Sequence, residues 1–255
     1  MSLSPDGRRL AYFAGGRLFV RSLNGEEARV VEGVRGVGTP FWSPDGRRLG
    51  LASNGKLWTI ELRTGAATAI ADVNTNLNGC WGPGGSILIG LLGDGVFRIS
   101  ESGGPLTRVT TLDSTRDEAR HLAPQLLPVD QRYLFTAGGS KPGSSALWAG
   151  SLDAAKRVAI QTVETPTVFV PGGRDAARGY LLFGRRGSLV ALPFDAQRLS
   201  ATGREFVIAD GVLTRAALGS ALQVMEFSAA ADTVVYRAAG SDASVMLRDW
   251  SARRV

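Results

Sequence analysis

The chain has 255 residues, 44% of them hydrophobic and 20% charged, with 33 glycines and 11 prolines; this excludes a disordered segment and suits one all-β unit broken by many turns. Its formal charge of +6 rests on arginines scattered through turns, such as Arg8-Arg9, Arg47-Arg48 and Arg185-Arg186, so no nucleic-acid partner is expected, because phosphate binding needs basic residues gathered on one face. The single cysteine, Cys80, excludes an internal disulfide.

In chain order, Ser4-Pro5-Asp6-Gly7 recurs as Ser43-Pro44-Asp45-Gly46 and, degraded, as Gly82-Pro83-Gly84-Gly85, with the prolines 39 residues apart both times. After each turn comes an apolar strand, at 9–13, 48–52 and 86–90. A Gly-containing turn then leads to a second strand of alternating pattern, Leu18-Phe19-Val20-Arg21-Ser22-Leu23, Leu57-Trp58-Thr59-Ile60-Glu61-Leu62 and Val96-Phe97-Arg98-Ile99. A last strand follows at 28–31, 67–70 and 106–109. The pattern continues with insertions through 126–130, 133–136 and 146–152. A fifth unit runs from 168 to 208, and a sixth has strands at 223–227, 234–236 and 245–250.

Units of about 40 residues and four strands are the size of a propeller blade, which buries both faces only by stacking against its neighbours. The expected fold is an all-β, six-bladed β-propeller of four-stranded antiparallel blades. It forms a single domain over 1–255, with blades at about 1–36, 37–74, 75–120, 121–163, 164–212 and 213–255. The terminal blades are expected to be incomplete: almost no strand precedes Ser4 and only five residues follow Trp250. A chain of this kind is expected to belong to a longer polypeptide, since an unpaired strand edge is an aggregation hazard.

The repeated turn residues Ser4, Pro5, Asp6, Gly7, Ser43, Pro44, Asp45 and Gly46 read as structural. Proline fixes φ at the first corner, aspartate bonds the backbone beyond it and glycine supplies positive φ. Trp42, Trp81, Trp58 and Trp148 read as blade-packing aromatics. The only histidine, His121, lies in the charged stretch Arg116-Asp117-Glu118-Ala119-Arg120-His121. Histidine is the commonest general base, but no Gly-x-Ser-x-Gly elbow supplies a nucleophile. One His and one Cys do not make a zinc site, and no Asp-x-Asp-x-Asp-Gly loop offers calcium ligands. No catalytic, cofactor-binding or metal residue is therefore expected, and no cofactor. The candidate ligand residues are Arg116, Asp117, Arg120 and His121, on an inserted loop at 113–123 placed at the channel mouth; further candidate loops are 137–145 and 212–221. The longest apolar stretch, 87–92, is too short to cross a membrane, and the first residues lack the pattern of a signal peptide.

The repeat Phe41-Trp42-Ser43-Pro44-Asp45-Gly46-Arg47 resembles the TolB-like, WD-repeat-like propellers. Several further segments resemble, in order and spacing, the extracytoplasmic propeller regions attached to bacterial serine/threonine protein kinases. They are Thr111-Leu112-Asp113, residues 116–121, Pro124-Gln125-Leu126-Leu127-Pro128, Gly179-Tyr180-Leu181-Leu182-Phe183, and Leu192-Pro193-Phe194-Asp195-Ala196-Gln197-Arg198-Leu199 with Thr202-Gly203. The sequence departs from that pattern at Leu122-Ala123, Gly84 and Ala229-Ala230-Ala231-Asp232, and it holds no kinase motif. The resemblance implies a periplasmic or extracytoplasmic place. It also implies a non-enzymatic sensor or scaffold whose partner is a protein, a peptide or a cell-wall-type ligand. The alternative is an enzyme, either a metal-assisted propeller hydrolase or lactonase or the accessory propeller of a peptidase.

Overall fold

The computed structural model describes residues 1–25, 27–36, 38–73, 76–129, 131–173, 175–216, 221–240 and 245–249. Five successive antiparallel sheets carry most of the sequence. The first is β1 (Ser2–Leu3), β2 (Arg9–Ala14), β3 (Arg17–Ser22) and β4 (Ala28–Arg35). The second is β5 (Phe41–Trp42), β6 (Arg48–Ser53), β7 (Lys56–Glu61) and β8 (Ala67–Asp72). The third is β9 (Asn76–Trp81), β10 (Ser86–Leu91), β11 (Val96–Ser100) and β12 (Thr107–Arg108), and the fourth β13 (Glu118–Leu126), β14 (Arg132–Gly139), β15 (Ala146–Ser151) and β16 (Ala154–Thr162). The fifth is β17 (Val168–Gly172), β18 (Asp175–Arg185) and β19 (Ser188–Asp195), with β20 (Ser200–Ala201) and β21 (Phe206–Ala209) both paired to β19.

The expected count of six blades, the terminal ones incomplete, is corrected here: among the described residues there are five blades. The stretch expected to form one strand at 223–227 divides at Glu226. β23 (Gln223–Met225) pairs only with β22 (Thr214–Ala216), whereas β24 (Phe227–Ala230) starts a three-stranded sheet with β25 (Thr233–Arg237) and β26 (Val245–Asp249). Glu226 is where the chain passes from one ladder to the other: its N–H donates to Leu213 O at 2.9 Å, beside β22, and its carbonyl accepts at 3.0 Å from Arg237 N, at the end of β25. The first blade, by contrast, does have four strands, its innermost one reduced to Ser2–Leu3. The expected last strand residue, Trp250, lies outside the described residues.

The apolar residues lie between sheets. One cluster joins the first and second sheets through Leu18, Trp42 and Leu49. Others join the second and third through Leu57 and Ile87, and the third and fourth through Leu88 and Phe135. The fourth and fifth meet through Leu147 and Phe169, the fifth and the last sheet through Leu182 and Val234, and Leu3 and Leu10 close the ring against Val235. Each fully buried Leu, Ile or Phe contributes about 1.5–3 kcal/mol relative to exposure. The innermost strands touch in the order β1, β5, β9, β13, β17, β24 and back to β1. They surround a cavity of about 1900 Å³.

The repeated turn works as its residue types dictate. Ser43 Oγ donates to Asp45 Oδ1 at 2.6 Å and accepts from Arg48 N at 2.9 Å, Asp45 Oδ1 accepts from Arg47 N at 3.0 Å, and Gly46 takes φ +66°. The turn at Ser4, Pro5, Asp6 and Gly7 repeats these bonds. The serine hydroxyl bond, chiefly, holds Asp6 and Asp45 below the usual carboxylate range. The degraded third turn has a packing reason: a Cβ on Gly82 would fall 2.2 Å from Leu126 Cδ1 of the next blade. The repeat also carries a clamp between blades. The guanidinium carbon of Arg9 stacks 4.9 Å from the Trp42 ring centroid while that arginine's Nη2 donates to Gly46 O at 2.7 Å. One repeat later, Arg48 stacks on Trp81 at 4.6 Å and pairs with Glu101 at 2.9 Å.

Candidate functional site

Two polar constellations stand out, and they are separate: a sealed network between the third and fourth blades, and the lining of the central channel. The first is built on His121. The residue lies within β13, fully buried, not on a loop at the channel mouth. Its Nε2 is 3.1 Å from Glu118 Oε2 and its Nδ1 2.7 Å from Thr110 Oγ1. The Glu118 carboxylate only accepts, so Nε2–H donates to it and Nδ1 accepts from the threonine hydroxyl, whose oxygen takes Val96 N–H at 2.8 Å. Arg157 grips Glu118 from the other side, Nη1 to Oε2 and Nη2 to Oε1 both at 2.9 Å, and stacks 4.4 Å from the Trp148 centroid.

Hydroxyl, imidazole and carboxylate in a row have the order of a nucleophile, base and orienting acid. Here none of Thr110, His121 and Glu118 lines the channel, and the imidazole packs 4.5 Å from the Phe135 ring with no exposed surface. A reacting group has no space beside the Thr110 oxygen, which is occupied by Val96 N and His121. This network cements two blades.

Asp117 and Arg116 serve the same region. Asp117, in the left-handed conformation at φ +61°, accepts from Ser140 N at 2.9 Å, Ser140 Oγ at 2.6 Å, Lys141 N at 3.0 Å and Ser144 Oγ at 2.9 Å. It therefore pins the turn within the candidate loop 137–145. The Ser140 hydroxyl bond, first among these, holds its carboxyl down to about 2 against an ordinary 3.8. A folded value below the unfolded one means the anchor contributes fully above about pH 3.8 and is lost as pH falls through about 2. A carboxyl-detected NMR titration should place the Asp117 midpoint near 2, and Asp117→Ala should speed amide exchange at Ser140 and Lys141 by at least about tenfold with the distant blades unaffected. A midpoint at the ordinary value would contradict the assigned bonds. Arg116 is exposed, pairs with Asp113 at 3.2 Å and stacks on Trp148 at 5.4 Å.

Of the four expected ligand residues, Arg120 alone lines the channel. Where the backbone leaves the innermost strands, the wall carries Pro5, Pro44, Pro83, Pro128 and Pro171, a set of fixed φ angles that makes this part rigid. Midway, side chains bridge neighbouring blades: Asn78 Oδ1 accepts from Ala123 N at 2.6 Å, and the Gln125 amide exchanges two bonds of 2.7 Å with the backbone of Phe169. Ala123 sits at φ +48° in a bulge of β13. Glu226 is the one carboxylate among the described lining residues, and it is held by Arg215 and, at 3.1 Å, by Arg237. Among the described residues no group of three or more His, Cys, Asp or Glu gathers in a metal-binding arrangement. Arg215 falls in the candidate loop 212–221, whereas sequence reasoning missed Thr167, Glu226 and Arg237.

Cys80 also reaches the channel wall, but its sulfur accepts from Leu126 N at 3.3 Å and burial pushes the thiol up to about 12. It should resist iodoacetamide at pH 8 in the native protein and label fast after denaturation, as followed by mass spectrometry. Rapid native labelling would contradict that environment.

No protein-family model and no curated protein matches the sequence. Solved structures do match in fold. TolB from Acinetobacter baumannii superposes with a TM-score of 0.59 at 12% identity over 78% of this chain, which spans 51% of that protein. A putative TolB from Agrobacterium tumefaciens gives 0.57 at 16% identity, covering 88% of this chain and 81% of that one. An oligogalacturonate lyase solved in complex with manganese gives 0.57 at 15% identity, covering 96% and 74%. At these identities the likeness establishes the β-propeller fold, shared by TolB-type proteins and by an enzyme.

Proposed function

We propose that this propeller is a non-catalytic recognition module that takes a peptide or protein segment into the mouth of its central channel. The observation that supports the reading is the channel itself: a cavity of about 1900 Å³ on a rigid ring, whose lone described carboxylate is tied up by two arginines while the only histidine is sealed away from it. A wall of this kind offers shape and donors for recognition and no free base for chemistry. The resemblance of residues 111–128 and 179–203 to kinase-attached propellers supports a place in a larger signalling protein, outside the cytoplasmic membrane, where the bound segment is the signal. Among the described residues no helix is long and apolar enough to cross a membrane.

Selection of displayed random peptides on the immobilised protein, followed by titration against the parent and Thr39→Trp, tests the reading. Thr39 is exposed on the cavity wall, so an indole there narrows the channel with little cost to the fold. Peptides that bind the parent and lose at least about tenfold in affinity for Thr39→Trp support it. Failure to enrich any sequence, binding indifferent to the indole, or turnover of oligogalacturonate in the presence of manganese would overturn it.

A further inference from the structure

Among the described residues, the channel wall contains two buried polar groups without a hydrogen-bond partner. Arg120, on β13, is 8% exposed, yet its Nε has no hydrogen-bond partner, and no carboxylate of the described residues pairs with its guanidinium. Thr167, which enters β17 of the next blade, is 1% exposed, and its Oγ1 is likewise without a partner. Both line the same cavity, Arg120 on β13 and Thr167 immediately before β17, two innermost strands that touch. A buried guanidinium without a counter-charge costs stability, and natural cores satisfy such groups unless something else fills the place.

We propose that Arg120 and Thr167 form a carboxylate-binding subsite in the channel, so that the ligand presents a free carboxylate to them. This rests on the binding role proposed above for the channel. The chemistry selects carboxylate over phosphate. The Nε edge of a guanidinium, with its neighbouring Nη, offers two parallel N–H groups that match the two coplanar oxygens of one carboxylate. Two other arginines of the wall, Arg215 and Arg237, are engaged by Glu226. Between them Arg120 and Thr167 present one positive charge and one hydroxyl donor, which match a single negative charge, whereas a phosphate dianion would be left short of donors.

The free carboxylate can come from a small organic acid or from the C-terminus of a peptide, and three probes separate them: succinate, Ala-Ala-Ala as the free acid, and the same tripeptide as its amide. The readouts are the Arg120 Nε–H resonance and the melting temperature, for the parent, Arg120→Met, Arg120→Lys and Thr167→Val. At least one of the two acids should shift the Arg120 resonance saturably, and the amide should not. A response to succinate assigns a bare carboxylate, and a response to the tripeptide acid alone assigns a C-terminus. Arg120→Met should melt no lower than the parent without ligand and lose the acid-induced stabilisation. Arg120→Lys, which keeps the charge but not the fork, should bind at least about fivefold more weakly, and Thr167→Val should weaken binding severalfold while leaving it measurable. The proposal falls if the Arg120 resonance is unmoved by both acids, if inorganic phosphate binds more tightly than either, or if Arg120→Met binds the acids as the parent does. Channel-dependent peptides that bind equally well as C-terminal amides would overturn this subsite while leaving the recognition role standing; binding of acids with no channel-dependent peptide would do the reverse.

Discussion

Replacing Glu118 by alanine should lower the unfolding free energy by about 3–5 kcal/mol, because it leaves the Arg157 guanidinium and the His121 imidazole in a buried site without their shared acceptor. The Glu118 side chain is 2% exposed and takes bonds from His121 Nε2, Arg157 and the Asp113 amide. Glu118→Gln keeps an oxygen for one of these partners and removes the charge, so it should cost less. Burial, the largest influence on this carboxyl, pushes it up, but the bonds from His121 and Arg157 together bring it below its ordinary 4.5. The sign follows: the network is at full strength above about pH 4.5 and weakens as pH falls through the lower folded value. In denaturant titrations the gap between parent and Glu118→Ala should therefore narrow on acidification. A variant indistinguishable from the parent at neutral pH would show that the network does not hold the blades together.

Phe169→Ala should be of similar size, about 3–5 kcal/mol, through lost burial and the cavity left behind. The ring is 1% exposed at the joint between the fourth and fifth blades and meets Phe194 edge to face at 6.2 Å. Gly179 supports it, since a Cβ there would lie 2.8 Å from the ring's Cζ. The neighbouring Gln125 bridge depends on the Phe169 backbone and therefore on the same placement. Phe206, half-buried on the outer strand β21, gives the control: Phe206→Ala should cost clearly less. Urea titration with an unchanged slope and a midpoint lowered for Phe169→Ala is the expected result. Equal losses in the two variants would place the strength of the ring at its rim, not at the joints between blades.

The repeat made the first three blades legible because their turn chemistry is local. Ser43, Asp45 and Gly46 satisfy one another within six residues, and the strands 48–52 and 57–62 fall on β6 and β7. Trp42 and Trp81 fill the packing positions expected of them. The last sheet was less legible because Ala229, Ala230 and Ala231 replace turn residues there, so nothing in the pattern reveals that Glu226 divides one apparent strand into two.

The site was harder to read for a related reason. A run such as Arg116-Asp117-Glu118-Ala119-Arg120-His121 looks like a solvated loop, and its first two residues are at a turn. From Glu118 onward it is an interior strand, whose charges are tolerated because Arg157 and Thr110 arrive from other elements. Sequence order cannot display those partners. It did place Arg120 among the candidate ligand residues, the member of that run that lines the channel.

The most direct test of the recognition role is an amide and side-chain NMR footprint of a selected peptide on the isotopically labelled protein. Recognition in the channel predicts shifts gathered on its wall at Asn78, Arg120 and Thr167, with the peptide recovered unaltered. A footprint confined to the outer strands β4, β8 and β12, or a chemically changed peptide, would contradict it.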